Sequence, residues 1–254
     1  MNMNISLPDE TMKAALEPAL NIANPPARSV GNFFSRTLDF WFSNRLLKYD
    51  KKDIMDELAL HQFRKECEVE FTKIPKENLV APRKALLLPA LDAAEYYVEE
   101  EELRQMFARL IATTCDNRKA SILHPSFAGI IQQLSPLDAK NLLSIHTSNG
   151  SQPVLTFNFT PIEDAIYYLI DNSPIDSDLL IQSTENLRRL GLIKIDFNCY
   201  LAETLYTPLY AIMPAPSNGI PLKDLPTRKG VLDLTTFGFT FCDICLPRLK
   251  ACAD

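Results

Sequence analysis

Glycine and histidine are scarce in this chain of 254 residues. It contains seven glycines and three histidines. No glycine lies in a Gly-rich phosphate-binding pattern, so the sequence has neither a Walker A loop nor a G-x-S-x-G nucleophile elbow. The histidines, His61, His124 and His146, do not form the H-E-x-x-H pattern of a zinc-protease helix. The sequence therefore excludes the enzyme classes that these motifs define.

Long apolar runs are also missing. No uninterrupted apolar stretch approaches the roughly 20 residues that a membrane-spanning helix requires. The polar start MNMNISLPDET lacks the apolar centre of a secretory signal peptide. We therefore expect a cytoplasmic protein.

The chain has no overall excess of positive charge. It carries 26 Lys and Arg residues against 32 Asp and Glu residues, which gives a net charge of -6 and a pI near 5.2. Such a protein has no general attraction for nucleic acid or anionic lipid, so only a local basic patch could bind either. Its hydrophobic content of 46% is typical of a globular protein, and its length is sufficient for one domain or two.

Cysteines are present, but they do not define a site. Cys242 and Cys245 have the spacing of metal ligands, yet a structural zinc site usually needs a second pair, which the sequence does not supply. A catalytic pair of Cys115 and His124 is an alternative, although Cys115 ends an apolar helix side and His124 lies beside a helix start. We expect free, mostly buried thiols, and neither a metal, a cofactor nor a catalytic residue.

The densest pattern in the chain lies between residues 99 and 143. Apolar residues recur there at spacings of three and four, which predicts a helix with one buried side, and the acidic run before them favours a helix start. The segment His124-Pro125-Ser126-Phe127 predicts the start of a second helix that continues through Leu134. Ser135 and Asp138 are spaced as a capping box, so a third helix is predicted to begin there.

These segments together carry a family resemblance. The acidic helix start, ELRQMFARLIATTCD, HPSF and QLSPLDAKNLL are similar to the abortive infection alpha (Abi-alpha) family of bacteria. The resemblance continues backwards with less specificity through KALLLPALDAAEYY and NPPARSVGNFF, and it implies a role in anti-phage abortive infection but assigns no catalytic residue. The motif positions, which we expect to be structural, are Leu103, Phe107, Leu110, His124, Pro125, Ser126, Phe127, Leu134 and Ser135.

A second prominent segment, residues 28–48, is aromatic and locally basic. Between Ala27 and Lys52 the chain has six basic residues against two acidic ones. A helix here would have a wide apolar arc and a second, narrower apolar line, which predicts packing in a core or between protomers. The alternative is a helix lying on a membrane surface, peripheral to the inner membrane. The candidate interaction residues are Phe33, Phe34, Leu38, Phe40, Trp41, Phe42 and Arg45.

The composition changes after residue 146. Strands are predicted at 154–157 and 192–197, a helix at 177–190, and a returning antiparallel strand at 206–213. We therefore expect a mainly α protein with a small α+β part: a leader at 1–26, a helical Abi-alpha-like module at 27–146 and a winged-helix-like domain at 151–254.

A winged helix invites a nucleic-acid interpretation, with Arg188, Arg189 and Lys194 as the candidate contacts. Residues 151–254, however, contain eight basic and twelve acidic residues, a net charge of -4, whereas DNA affinity depends on basic residues that neutralise phosphates. We therefore expect an anti-phage protein that acts through a protein partner or a homo-oligomer, with a membrane surface as an alternative, rather than through catalysis. A nucleic-acid-binding regulator is the rival hypothesis.

Overall fold

The computed structural model describes residues 27–48, 54–157, 165–167, 177–212 and 227–247. The predicted leader at 1–26 lies outside these ranges. The chain divides into two compact units, residues 1–133 and 134–254. The described part is mainly helical with one small antiparallel sheet, which confirms the predicted fold class at this level.

The described part of the first unit is built from helices. These are α1 Ala27–Lys48, α2 Ile54–Thr72, α3 Lys84–Ala94, α4 Glu101–Thr113 and the short α5 Phe127–Ile131. The predicted helices at 28–48 and within 99–143 are confirmed, although α5 ends at Ile131 and does not continue through Leu134.

Helix α4 lies at the centre of the first unit. Its apolar side, which includes Leu103, Phe107 and Leu110, is buried, and α2, α3 and α5 all pack against it. Two ion pairs join α4 to α2. The Nε atom of Arg104 lies 3.1 Å from a Glu66 carboxylate oxygen, and that of Arg109 lies 3.2 Å from a Glu70 oxygen. The sequence periodicity therefore identified the most buried side of the unit correctly.

The second unit combines helices with the sheet. In chain order it has α6 Pro136–Thr147, β1 Ser151–Phe157, β2 Ala165–Tyr167, α7 Ser177–Arg189, β3 Ile193–Asp196, α8 Thr207–Ile212, β4 Thr227–Leu234 and α9 Thr236–Cys245. The strand order is β2-β1-β4-β3, and all neighbouring strands are antiparallel. Helices α6 and α9 pack against each other and against β4, while α7 packs against β2 and β3.

Helix α6 belongs to the second unit, so the division between units falls earlier than the predicted module end at residue 146. The reason is the packing of α6 on α7. Asn186 Nδ2 donates to Asp138 Oδ2 over 2.9 Å, and Asn141 Nδ2 donates to Ser183 Oγ over 3.0 Å. The start of α6 was predicted correctly, because the Ser135 and Asp138 side chains each accept from the other's backbone N–H.

The returning strand predicted at 206–213 is wrong. Residues Thr207–Ile212 form α8, and β3 pairs instead with β4, with Ile193 opposite Leu234. Pro208 explains the difference, because proline fits the first turn of a helix and cannot donate a hydrogen bond in a strand. Tyr206 is fully buried just before this helix, where its hydroxyl donates to the Gly230 carbonyl oxygen over 2.9 Å.

The turn between α7 and β3 is joined to the start of α9. Gly191 adopts a positive φ of 71°, which favours glycine, and ends α7 as predicted. Thr235 caps α9 by accepting from Gly238 N, and its hydroxyl donates to the Gly191 carbonyl oxygen over 2.6 Å. A Cβ atom at Gly238 would overlap the Leu192 carbonyl oxygen. Only a residue without a side chain allows this close approach.

We expect Gly238→Ala to lower the free energy of unfolding by about 2 kcal/mol or more, because the added methyl group meets backbone that cannot move aside. Gly129→Ala is the control, since nothing lies within 4 Å of its Cβ position on α5. That change should be neutral or slightly stabilising. Urea unfolding followed by circular dichroism measures both variants, and equal midpoints would contradict the close approach.

Candidate functional site

The wide apolar arc of α1 is buried. Phe34, Leu38, Trp41 and Phe42 are each 3% exposed or less. The ring of Phe34 stacks on that of Phe71 of α2 at a centroid distance of 4.2 Å. The arc is therefore part of the core of the first unit in this state, as the core interpretation of the sequence predicted.

The same helix α2 supplies further aromatic contacts to α1. Trp41 and Phe42 meet the ring of Phe63 edge-on, at centroid distances of 5.9 and 5.7 Å. At the surface, Asp39 forms an ion pair with Arg64 of α2. Three aromatic contacts and one ion pair therefore fix α1 on α2.

The second apolar line of α1 is less completely covered. Phe33 is 8% exposed and Phe40 is half-buried, while Arg36 on a neighbouring side is exposed. Arg45 lies in α1, but its side chain is outside the described part. The second line is therefore the part of the predicted interaction helix that reaches the surface of the unit.

The HPSF motif builds a turn. Ser126 N donates to His124 Nδ1 over 3.2 Å, so this nitrogen carries a lone pair in the neutral ring, and the Ser126 hydroxyl lies 2.7 Å from the same atom. Phe127 is fully buried at the start of α5, and Pro125 is exposed. Leu134 is also buried. The His124 ring therefore takes part in the turn that precedes α5.

The thiols of Cys115 and Cys242 are buried. Burial raises the pKa of Cys115 to about 12, although a hydrogen bond with Thr114 opposes the shift. Burial likewise raises the pKa of Cys242. Because the thiolate is the nucleophilic form, burial disfavours nucleophilic chemistry at both residues. Within the described residues, no three His, Cys, Asp or Glu side chains are grouped to hold a metal ion.

The three candidate nucleic-acid contacts each have a polar partner. Arg188 Nη1 lies 2.6 Å from Glu185 Oε1, and Arg189 Nη2 donates to Asn186 Oδ1 over 2.8 Å. Lys194 Nζ lies 3.7 Å from Asp233 Oδ2. Two of the three cations therefore face a carboxylate, which weakens the local positive potential that a phosphate backbone would need.

A cavity in the second unit was not predicted from the sequence. It measures about 430 Å³ and lies between the end of α6, the start of β1 and residues 201–209. Its polar wall includes Thr147, Ser148 and Gln152, at the end of α6 and the start of β1. The available signal was the spacing of Ser144, Thr147 and Ser148, which places three hydroxyls on one side of a helix end.

The fold defines a two-unit, mainly helical protein whose second unit carries the sheet. The family model for abortive infection alpha matches residues 55–245, about three quarters of the chain, and the protein belongs to this family. No curated protein and no solved structure matches the chain significantly. Among the described residues, no helix is both long enough and apolar enough to cross a membrane. The matched region begins in α2 and ends with α9, so α1 precedes it.

The stability of the second unit should depend on the protonation of His146. The ring is 7% exposed and contacts Phe239 edge-on, and its Nδ1 atom has no hydrogen-bond partner among the described residues. Burial lowers the pKa of His146 below 6.5, against a smaller opposing effect of Asp243. Because the folded state disfavours the charged ring, stability should be intact above pH 6.5 and decrease as the pH falls below that value.

This dependence can be measured as the urea midpoint between pH 7.5 and 5. His146→Gln should reduce its slope, whereas His61→Gln, at an exposed position on α2, should leave the slope unchanged. An unchanged slope in His146→Gln would assign the pH dependence to other groups.

Proposed function

We propose that the protein acts in anti-phage abortive infection and that it does so through contacts of helix α1 with another protein, a second copy of the chain included. Membership of the abortive infection alpha family supports the first part. The observation that carries the second part is the pair of apolar sides on α1. The wide arc is buried on α2, while the second line reaches the surface at Phe40.

The way in which α1 is held on α2 also supports this role. The matched residues 55–245 begin inside α2, so the family match supports the role of the protein and says nothing of α1. Its described contacts with α2 are largely aromatic, and the ion pair between Asp39 and Arg64 is half exposed and therefore weak. Such a helix can stay packed on α2 and still bind another protein through its partly exposed side.

Two modes of action follow from the two sides. The second line can bind a partner while the unit stays intact, because Phe40 is already accessible. The wide arc would act only if infection released α1 from α2, since Phe34, Trp41 and Phe42 are buried. A released arc beside Arg36 would also suit a membrane surface, which is the alternative target.

Action by contact rather than by catalysis is part of the proposal. Cys115 is held as a protonated thiol by burial, and His124 takes part in the turn that opens α5. Both groups of the catalytic pair considered from the sequence therefore have structural roles.

The experiment is a phage challenge of bacteria that carry the gene with its native neighbours, at low and at high phage-to-cell ratio. We expect the wild type to protect at low ratio and the culture to collapse at high ratio. Phe40→Ala should lose protection at an unchanged protein level, because it removes the accessible apolar contact. Tyr96→Ala, a 78% exposed aromatic residue of the same unit, is the control and should protect like the wild type.

Two outcomes would contradict this proposal. No protection by the wild type against a broad phage panel would reject the role in abortive infection. Full protection by Phe40→Ala would reject the second line of α1 as the contact side. Flotation of the wild type with anionic liposomes after infection, but not before, would favour the membrane target over a protein.

We also propose that the second unit is a winged-helix-like domain. Helix α7 passes through the Gly191 turn into β3, which pairs with β4, and β4 lies beside β1 from the start of the unit. A helix followed by such a strand pair is the arrangement of a winged helix. This arrangement is the observation that favours the second candidate function, a nucleic-acid-binding regulator that uses α7.

The candidate cations of the second unit already have carboxylate or amide partners, which predicts weak nucleic-acid binding. We expect Arg188→Gln combined with Arg189→Gln to change the affinity for a duplex DNA probe less than about twofold, because neither side chain is free to neutralise a phosphate without giving up a partner. Fluorescence anisotropy from 50 to 200 mM salt measures this. Binding that depends steeply on salt and is lost in the double variant would instead support the regulator.

A further inference from the structure

We propose that the cavity of the second unit binds a small uncharged organic molecule that presents N–H donors on a flat apolar body. The cavity volume of about 430 Å³ falls in the usual range for such ligands, about 300–1,000 Å³. One wall carries hydroxyl and amide groups from α6 and β1, and the facing wall is apolar. The hydrogen bonds within the polar wall determine which ligands fit.

The hydroxyl protons of the polar wall are already committed. Thr147 Oγ1 donates to the Ser144 carbonyl oxygen over 2.8 Å, and Ser148 Oγ donates to the same oxygen over 3.0 Å. A carbonyl oxygen can only accept, so both directions are fixed. Ser151 Oγ donates to the Asp233 carboxylate over 2.6 Å. These three hydroxyls therefore retain only lone pairs for a ligand.

Gln152 adds a buried acceptor to the wall. Its Nε2 atom donates to Ser144 Oγ over 3.0 Å and to Ser148 Oγ over 3.2 Å. Because the Ser148 proton is committed to a carbonyl, Ser148 must accept here, and the amide orientation follows from that. The side chain is 94% buried, and Oε1 receives no hydrogen bond from the described residues. Because the oxygen is itself closed to solvent, it adds negative potential behind the wall and does not contact a ligand.

The charges at the cavity exclude an anion. No described lining residue carries a charge, and Asp233 lies directly behind Ser151. A phosphate or carboxylate would find no cation among the described lining residues and would face the acceptors of the polar wall, with Asp233 behind Ser151. The Thr204 hydroxyl also lines the cavity, and its proton is not used in the hydrogen bonds of the polar wall. A ligand with N–H groups would instead satisfy the acceptors.

The apolar wall determines the body of the ligand. It is formed by Leu201, Leu205, Pro208 and Leu209, with the Thr204 hydroxyl among them, and Leu205 is 49% exposed. A flat ring lying on this wall would cover Leu205 while its edge faced the hydroxyls. Primary amides on aromatic rings and amino-substituted nucleobases have this chemistry.

Saturation-transfer NMR on the full chain tests the inference with two matched probe pairs. Benzamide and benzoate have the same shape, but only benzamide donates from its substituent. Adenine and purine differ in the amino group. We expect benzamide and adenine to bind, benzoate to give no signal, and purine to bind more weakly than adenine. Binding of benzoate as strong as that of benzamide, or no signal from either donor probe, would overturn the proposal.

Two variants locate the binding. Thr147→Val removes one acceptor at constant volume and should weaken benzamide binding about three- to tenfold. Leu205→Ser removes part of the apolar wall at an exposed position and should weaken it similarly. Thr240→Val is the control, because Thr240 makes the same type of bond to a carbonyl one turn earlier, on α9. Equal benzamide affinity in the wild type and all three variants would place the binding elsewhere and overturn the proposal.

Discussion

The arrangement of the first unit depends on two largely buried ion pairs between α4 and α2. Arg104 and Glu66 are 11% and 15% exposed, and Arg109 and Glu70 are 16% and 17% exposed. Loss of one partner from such a pair would leave an uncompensated charge, which is much more costly than loss of a surface pair. The pairs therefore fix the position of α2 along α4. Since α2 carries Phe63 and Phe71, they also fix where α1 can lie.

Helix α4 thus positions α2 through the two ion pairs, and α2 positions α1 through its aromatic side chains. The wide aromatic arc of α1 lies in the core, whereas Phe40 of the second line is only half-buried. The segment that is apolar on two sides and locally basic in the sequence therefore has one apolar side in the core and exposes Arg36. The wide arc stabilises the unit, whereas Phe40 of the second line remains partly exposed.

The features that sequence reasoning predicted correctly are those determined by neighbouring residues. The capping box of Ser135 and Asp138, the end of α7 at Gly191 and the buried side of α4 all follow from spacings of a few positions. The partner of β3 could not be predicted in this way, because β4 is separated from it by about 30 residues and Pro208 lies in the segment between them. The cavity was missed for a related reason, since its character depends on which hydroxyl protons are already used.

The pairing of β1 with β4 has a consequence for the order of folding during synthesis. Ser151 lies opposite Asp233, so the sheet cannot close until more than 80 further residues have been translated and have left the ribosome. The contacts among helices α1 to α5 lie within residues 27–133, so the first unit can fold while the second is still being made. Helix α9 follows β4 in the chain, and its cap binds the Gly191 carbonyl oxygen, so this contact also forms only after β4 has been made. The contacts of the aromatic helix α1 with α2 therefore need no residue of the second unit, and a ribosome that stalls before β4 has emerged would present the first unit without a closed sheet.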